Sequence, residues 1–389
     1  MKKFALFMAV LMLAAMFVAC GTKSPATETD GPATGADGDT ILIGGLAPLT
    51  GAVSMYGTTA IKGAELAFEE INANGGVLGK QIEFEVLDEK GDATEAVNAY
   101  NRLTEKNIVA LVGDITSQPT LAVAELAAAD GLPMITPTAS HADITKAGPN
   151  IFRVCFLDPY QGTMMARFAA ENLKLKKIAV IYNTSDDYSQ GVAESFKAEA
   201  ELLGMEVVAS EGYGADDKDF KAQLTSIQGK SPEAVYVPDY YATDALIAAQ
   251  AREIGLDVPL LGPDGWDGVL GSIDASNIEV LNNCFFSNHY FAEDTAEVVA
   301  NFFAGYREKY DEEPSSFAAL GYDAAYILVN AIEAAGSTDS EAIVEAMAAT
   351  ELEGVTGKIT YEGSGDPVKV LTVIEIVDGK YTLFDRIHP

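Results

Sequence analysis

From Thr40 onward the chain alternates short, unbroken apolar segments with amphipathic stretches, and this alternation constrains its fold more than any other feature. Ile41 to Ala47 reads as a strand. A helix follows with Ile61, Ala64, Phe68 and Ile71 at helical spacing, and it stops at Asn74, Gly75 and Gly76. Strands are expected at 82–87, 108–112 and 134–136, separated by helices at 93–105 and 119–129. A strand buried on one face alternates apolar and polar residues, whereas one buried on both faces is apolar throughout. Unbroken runs spaced by helices therefore mark a parallel sheet covered on both sides.

The pattern restarts after Phe152, with strands at 177–182, 205–209, 234–237 and 259–261 and helices at 190–203, 220–227 and 244–254. Two such series predict an α/β chain of two doubly wound, Rossmann-like lobes, and 389 residues suffice for two domains of about 150 residues each. Long helices near 298–310 and 317–335, then strand-like stretches at 358–361 and 368–377, imply that the chain passes between the lobes more than once. Ligands of open α/β sheets sit outside the carboxyl ends of the strands. Two facing lobes therefore place the site in the cleft between them, closed by a hinge.

The first forty residues follow another logic. Lys2 and Lys3 precede sixteen uncharged residues, Phe4 to Ala19, which is an export signal too short to span a bilayer. The run ends in small residues around Cys20 and resembles the bacterial lipoprotein cleavage box, in which the cysteine becomes the lipidated first residue. Residues 1–19 are thus expected to be removed and Cys20 to carry the lipid that ties the protein to the membrane. Residues 21–39 contain no large apolar side chain and are expected to form a solvated tether.

Fifty-eight acidic against 25 basic residues give a net charge of −33, a field that repels phosphate backbones and argues against a nucleic-acid partner. No G-x-S-x-G elbow, H-E-x-x-H, C-x-x-C or complete phosphate loop occurs; Leu224 stands where the loop ending in Gly229, Lys230 and Ser231 needs its first glycine. His141, His289 and His388 are far apart in sequence and read as isolated surface residues. No enzyme activity, cofactor or metal is expected. What remains is a pair of hydroxyl-rich strand ends. Ser117 stands at the start of the helix after the third strand, either as a cap or as part of an anion site at the helix N-terminus. Thr136, Pro137, Thr138, Ala139 and Ser140 end the next strand. Two neighbouring loops of this kind could hold one carboxylate from two sides.

Motifs along the whole body carry a family resemblance. These are the run Ile43 to Gly51, Tyr56 and Gly57, Gly63 to Ala67, Ile71 to Gly79, Pro133 to Pro137, Tyr188 before Gly191, Asp219 and Phe220, Gly262 to Trp266, Gly321 to Ala324, and Gly354 to Gly357. In this order they resemble the leucine/isoleucine/valine-binding proteins of ABC importers. The resemblance implies the type I periplasmic-binding fold, with crossings near Leu157, Asn288 and Gly357. Lobe 1 would be 40–157 plus 288–357, and lobe 2 would be 158–287 plus 358–389.

It also implies roles. Ser117 and Ser140 would bind an amino acid's carboxylate, and the Thr138 carbonyl would accept from its ammonium. Asp264 would pair with that ammonium from across the cleft. Tyr56, Tyr188, Tyr240, Trp266 and Phe317 would line the side-chain pocket. Asp264 replaces the glutamate of the leucine binders, and Ser140 replaces a threonine. The expected partners are an amino acid and the permease subunits of an importer, with the binding protein itself a monomer. Rival readings keep the fold but assign a small amide or urea as ligand, or signalling through a separate membrane partner. Cys155 and Cys284 both lie near crossings and are read as free thiols, with a disulfide as the alternative.

Overall fold

The computed structural model describes residues 40–388. The expected signal peptide, Cys20 and the tether lie outside the described residues. The first sheet is built from β1 (Thr40–Ala47), β2 (Gln81–Asp88), β3 (Ala110–Val112), β4 (Met134–Thr136) and β5 (Ile151–Arg153). Its order is β2-β1-β3-β4-β5 and every pairing is parallel. Its connections are α1 (Ser54–Ala73), α2 (Ala93–Thr104) and α3 (Ser117–Asp130). The central strands β3 and β4 are buried at every residue, as unbroken apolar runs require.

The chain then leaves this lobe through α4 (Asp158–Arg167) and builds β6 (Lys177–Asn183), α5 (Asp187–Leu202), β7 (Glu206–Tyr213) and α6 (Lys221–Gln228). The same sheet continues with β8 (Ala234–Tyr236), α7 (Tyr241–Glu253), β9 (Leu260–Gly262) and β10 (Cys284–Asn288). It then returns to the first lobe for α8 (Glu297–Tyr310), α9 (Ser316–Ala335), α10 (Ser340–Ala348) and the hairpin β11 (Glu351–Gly354) and β12 (Gly357–Thr360). Finally β13 (Leu371–Val377) and β14 (Lys380–Ile387) complete the second sheet, in the order β14-β13-β10-β9-β8-β6-β7. β13 runs antiparallel to both β10 and β14.

Three segments therefore pass between the lobes: after β5, after β10, and between β12 and β13. The third lies later than the expected Gly357. That glycine, at φ 92°, turns the β11–β12 hairpin, and Ile359 and Tyr361 beyond it pack into the core of the first lobe. Cys155 and Cys284 are buried free thiols.

One packing contact fixes the geometry of the cleft. α1 and α9 lie side by side so closely that a Cβ on Gly63 would stand 1.9 Å from the Ala318 carbonyl oxygen, and one on Gly321 2.0 Å from that of Ala60. Only glycine permits this approach. It brings Tyr56, in the first turn of α1, against Phe317, in the first turn of α9.

Candidate functional site

Eight of the nine residues expected to contact a ligand line one narrow cavity between the lobes: Tyr56, Ser117, Thr138, Ser140, Tyr188, Tyr240, Asp264 and Phe317, joined by Ile115, Thr116 and Gly265. On the first-lobe side the wall is made by the loops after β3 and β4. Thr136 Oγ1 donates to the Asp114 carbonyl at 2.6 Å and accepts the Ala139 N–H at 3.0 Å, and Thr138 Oγ1 donates to the Ile115 carbonyl at 2.6 Å. Ser117 is no cap: its Oγ accepts the His141 N–H at 3.3 Å, and no side chain caps the start of α3. The hydroxyl proton stays available beside a helix N-terminus, where unpaired N–H groups favour an anion.

Arg153 secures the second loop from behind. Its buried guanidinium donates to the Ala139 and His141 carbonyls, each at 2.9 Å, and its Nε to Asp366 at 2.7 Å. Ser140 is thus held between two carbonyls that are themselves pinned, and its own carbonyl accepts the Asp158 N–H at 3.0 Å. The Asp158 carboxyl beside it is pushed up to about 8 by burial, so it is protonated at neutral pH and adds no negative charge next to the serine.

The second lobe supplies the opposite charge. Asp264 follows β9 and is buried. Its Oδ1 accepts the Tyr188 hydroxyl at 2.7 Å, its Oδ2 faces His289 Nε2 at 2.9 Å, and its N–H donates to Gln161 Oε1 at 3.1 Å. The Tyr188 oxygen also accepts the Gly265 N–H at 3.0 Å. Gly265 is required here because a Cβ would stand 2.3 Å from the Asp239 carbonyl oxygen. Tyr56 bridges the lobes: its hydroxyl donates to the Gly265 carbonyl and accepts the Tyr241 N–H at 3.0 Å.

Rings complete the walls. Tyr56 stacks on Phe317 with centroids 4.1 Å apart, and Tyr188 on Tyr240 at 5.0 Å. Burial pushes the hydroxyls of Tyr56, Tyr188 and Tyr240 far above the usual phenol range, so they act as neutral groups.

Trp266 departs from expectation. It is 0 % exposed, and its indole N–H donates to the Val237 carbonyl at 2.8 Å. The ring packs into the second lobe's core rather than over the cavity, because the short turn that presents Asp264 rotates its neighbour inward. His289 departs in the other direction. It is 3 % exposed and touches the acid at the centre of the site. Its place just past the end of the apolar run at Cys284 to Phe286 is the signal that would have found it, since sites gather at strand carboxyl ends.

The arrangement sets hydroxyls and a helix N-terminus on one side, a carboxylate on the other, and aromatic surface between. Such an arrangement can pair with both ends of a small molecule that carries a negative and a positive group. Burying either end unpaired would cost several kcal/mol, so both lobes must engage together. Among the described residues, no group of acidic, histidine or cysteine side chains is arranged to hold a metal ion, and no helix is long and apolar enough to cross a membrane.

The sequence and the fold are also similar to those of known proteins. The family model described as periplasmic binding protein matches residues 40–380. A Leu/Ile/Val-binding protein of Rhizobium johnstonii is 32% identical over 329 residues, 84% of this chain and 88% of its own length. A leucine-, isoleucine-, valine-, threonine- and alanine-binding protein of Pseudomonas aeruginosa is 31% identical over 334 residues, 84% of this chain and 87% of its own. Among solved structures, the branched-chain amino-acid transporter substrate-binding protein LivJ of Streptococcus pneumoniae, in complex with isoleucine, superposes with a TM-score of 0.85 at 35% identity. The match covers 90% of this chain and all of that one.

Proposed function

The chain belongs to the periplasmic binding protein family, among the branched-chain amino-acid-binding members associated with ABC transporters, and from that premise we propose that it captures a branched-chain amino acid in the inter-lobe cavity. The family binds solutes without transforming them. In the proposed complex Ser117, Ser140 and the start of α3 take the ligand carboxylate. The Thr138 carbonyl and the Asp264 carboxylate take its ammonium, and Tyr56, Tyr188, Tyr240 and Phe317 enclose the aliphatic side chain. The observation that carries this reading is the placement of Asp264 across one small cavity from the hydroxyl loops. Delivery to a permease follows from the kinship, and tethering through a lipid on Cys20 from the resemblance of the leader.

The test is calorimetric titration of residues 40–389, stripped of carried-over ligand by unfolding and refolding, with leucine, isoleucine and valine in turn. One-to-one binding that Asp264→Asn weakens at least a hundredfold is the expected result. Silence with all amino acids but heat with an amide or urea would replace the ligand. Unchanged affinity in Asp264→Asn would remove that residue from the site.

A further inference from the structure

His289 comes directly after β10, on the second passage between the lobes. Its ring stacks on Phe156 of the first passage, with centroids 3.8 Å apart and planes 23° from parallel. Its backbone N–H donates to Asn288 Oδ1 at 2.7 Å. The ring is thus fixed by stacking and by its own backbone, with Nε2 2.9 Å from Asp264 Oδ2. Nδ1 is buried and has no hydrogen-bond partner among the described residues. A neutral imidazole carries one N–H, and a buried N–H without an acceptor is costly. The carboxylate therefore assigns the proton to Nε2 and leaves Nδ1 as a bare lone pair.

We propose that His289 is a positioning residue for the ligand-binding carboxylate: as a neutral donor it orients Asp264 while leaving its negative charge for the ligand's ammonium. This rests on the amino-acid reading given above. Tyr188 fixes one oxygen of Asp264 and His289 the other, so the carboxylate cannot rotate away when the cleft opens. The ionisable groups that act on the ring are Asp264 and Lys369, the latter buried on the third passage; Cys155 on the first passage and Asp158 in α4 interact with Asp264 rather than with the ring. Burial, chiefly, and Lys369 hold the imidazole below its usual range, while Asp264 pulls the other way. A protonated ring would form an ion pair with Asp264 and compete with the incoming ammonium. Bound ligand and protonated His289 oppose each other, and affinity must fall on acidification with at most one proton displaced per ligand.

The experiment compares the wild-type body with His289→Leu and His289→Gln, titrating isoleucine from about pH 7.5 down to about pH 5, because burial holds the ring below the usual histidine range. His289→Leu loses the donor and should bind about tenfold more weakly or worse. His289→Gln keeps an amide N–H at the same reach and should return to within about threefold of wild type. Wild type should weaken on acidification and His289→Gln should not. Equal affinity of His289→Leu and wild type overturns the proposal, as does an equal acid loss in His289→Gln. If the wild type binds no amino acid, the ligand reading falls. The positioning contact is then decided by the nitrogen-15 spectrum of the ligand-free protein. A proton on Nε2 that shifts in Asp264→Asn supports it, and a proton on Nδ1 overturns it.

Discussion

Asp267 and Ser316 are joined twice across the cleft: one Asp267 oxygen accepts the Ser316 N–H at 2.7 Å and its hydroxyl at 2.6 Å. The acid lies three residues after Asp264 in the second lobe, and the serine opens α9 just before Phe317 in the first. Bonds to a charged acceptor, each about 1.5–3 kcal/mol, exist here only while the lobes are closed. Asp267→Asn should weaken ligand binding about tenfold by raising the share of open molecules. Calorimetry measures the affinity, and small-angle scattering of the ligand-free protein the opening. An unaltered affinity would show that the latch adds nothing to closure.

The backbone contact of α1 with α9 makes a second test. A methyl group at Gly63 or Gly321 meets a carbonyl oxygen at about 2 Å, so Gly63→Ala must push the helices apart. The expected loss of stability is about 1–3 kcal/mol, the range for overpacking. Because the same helices carry Tyr56 and Phe317, ligand affinity should fall in parallel with the melting temperature. A variant that is less stable but binds normally would separate the packing from the site.

Asp158 predicts a pH dependence. An unfolded aspartate ionises near about pH 4, whereas the folded one stays protonated up to about 8. Between these values the folded protein holds the extra proton, so this residue lowers stability as pH rises. Asp158→Asn, which mimics the protonated acid, should melt several degrees higher than wild type at neutral pH and converge with it near about pH 4. Thermal melts across that window decide it; a constant offset at all pH values would assign the effect to packing.

Trp266 gives a prediction opposite to the one its sequence position suggests. Trp266→Phe removes the bond to the Val237 carbonyl and leaves a void in the second lobe, so stability should drop by about 1–3 kcal/mol. The rank order of leucine, isoleucine and valine should stay the same, because the ring does not border the cavity. A changed rank order in competition titrations would return the tryptophan to the binding surface.

The alternation of apolar strands and helices was readable because buried parallel strands have no polar face to confuse the pattern. α4, α10 and β14 were not. α4 begins with Asp158 and Pro159 and carries little amphipathic signal, and β14 alternates exposed and half-buried residues at the sheet edge. Within the site, the placement of Ser117 and Ser140 on one cavity was legible from strand-end loops, and that of Asp264 only from the resemblance. His289 and Trp266 were misjudged for a common reason. Periodicity reports which face of an element is buried, but neither residue lies on a regular face. Each sits at the end of a short segment whose turn direction depends on its neighbours in space. Arg153 was equally hidden, since the Ala139 and His141 carbonyls it holds leave no trace in residue identity and its acidic partner, Asp366, lies 213 residues away in sequence.

The last two strands have a bearing on how the protein is made. β13 supplies Leu371, Val373, Ile374 and Ile376 to the interior and pairs with β10 along Cys284–Asn288. During synthesis β10 leaves the ribosome well before its partner, so the nascent second lobe carries an open, apolar sheet margin until residues 371–377 have followed. Loss of β13 and β14 by premature termination or clipping would therefore do more than shorten the chain. It would leave a sticky edge on which truncated copies self-associate.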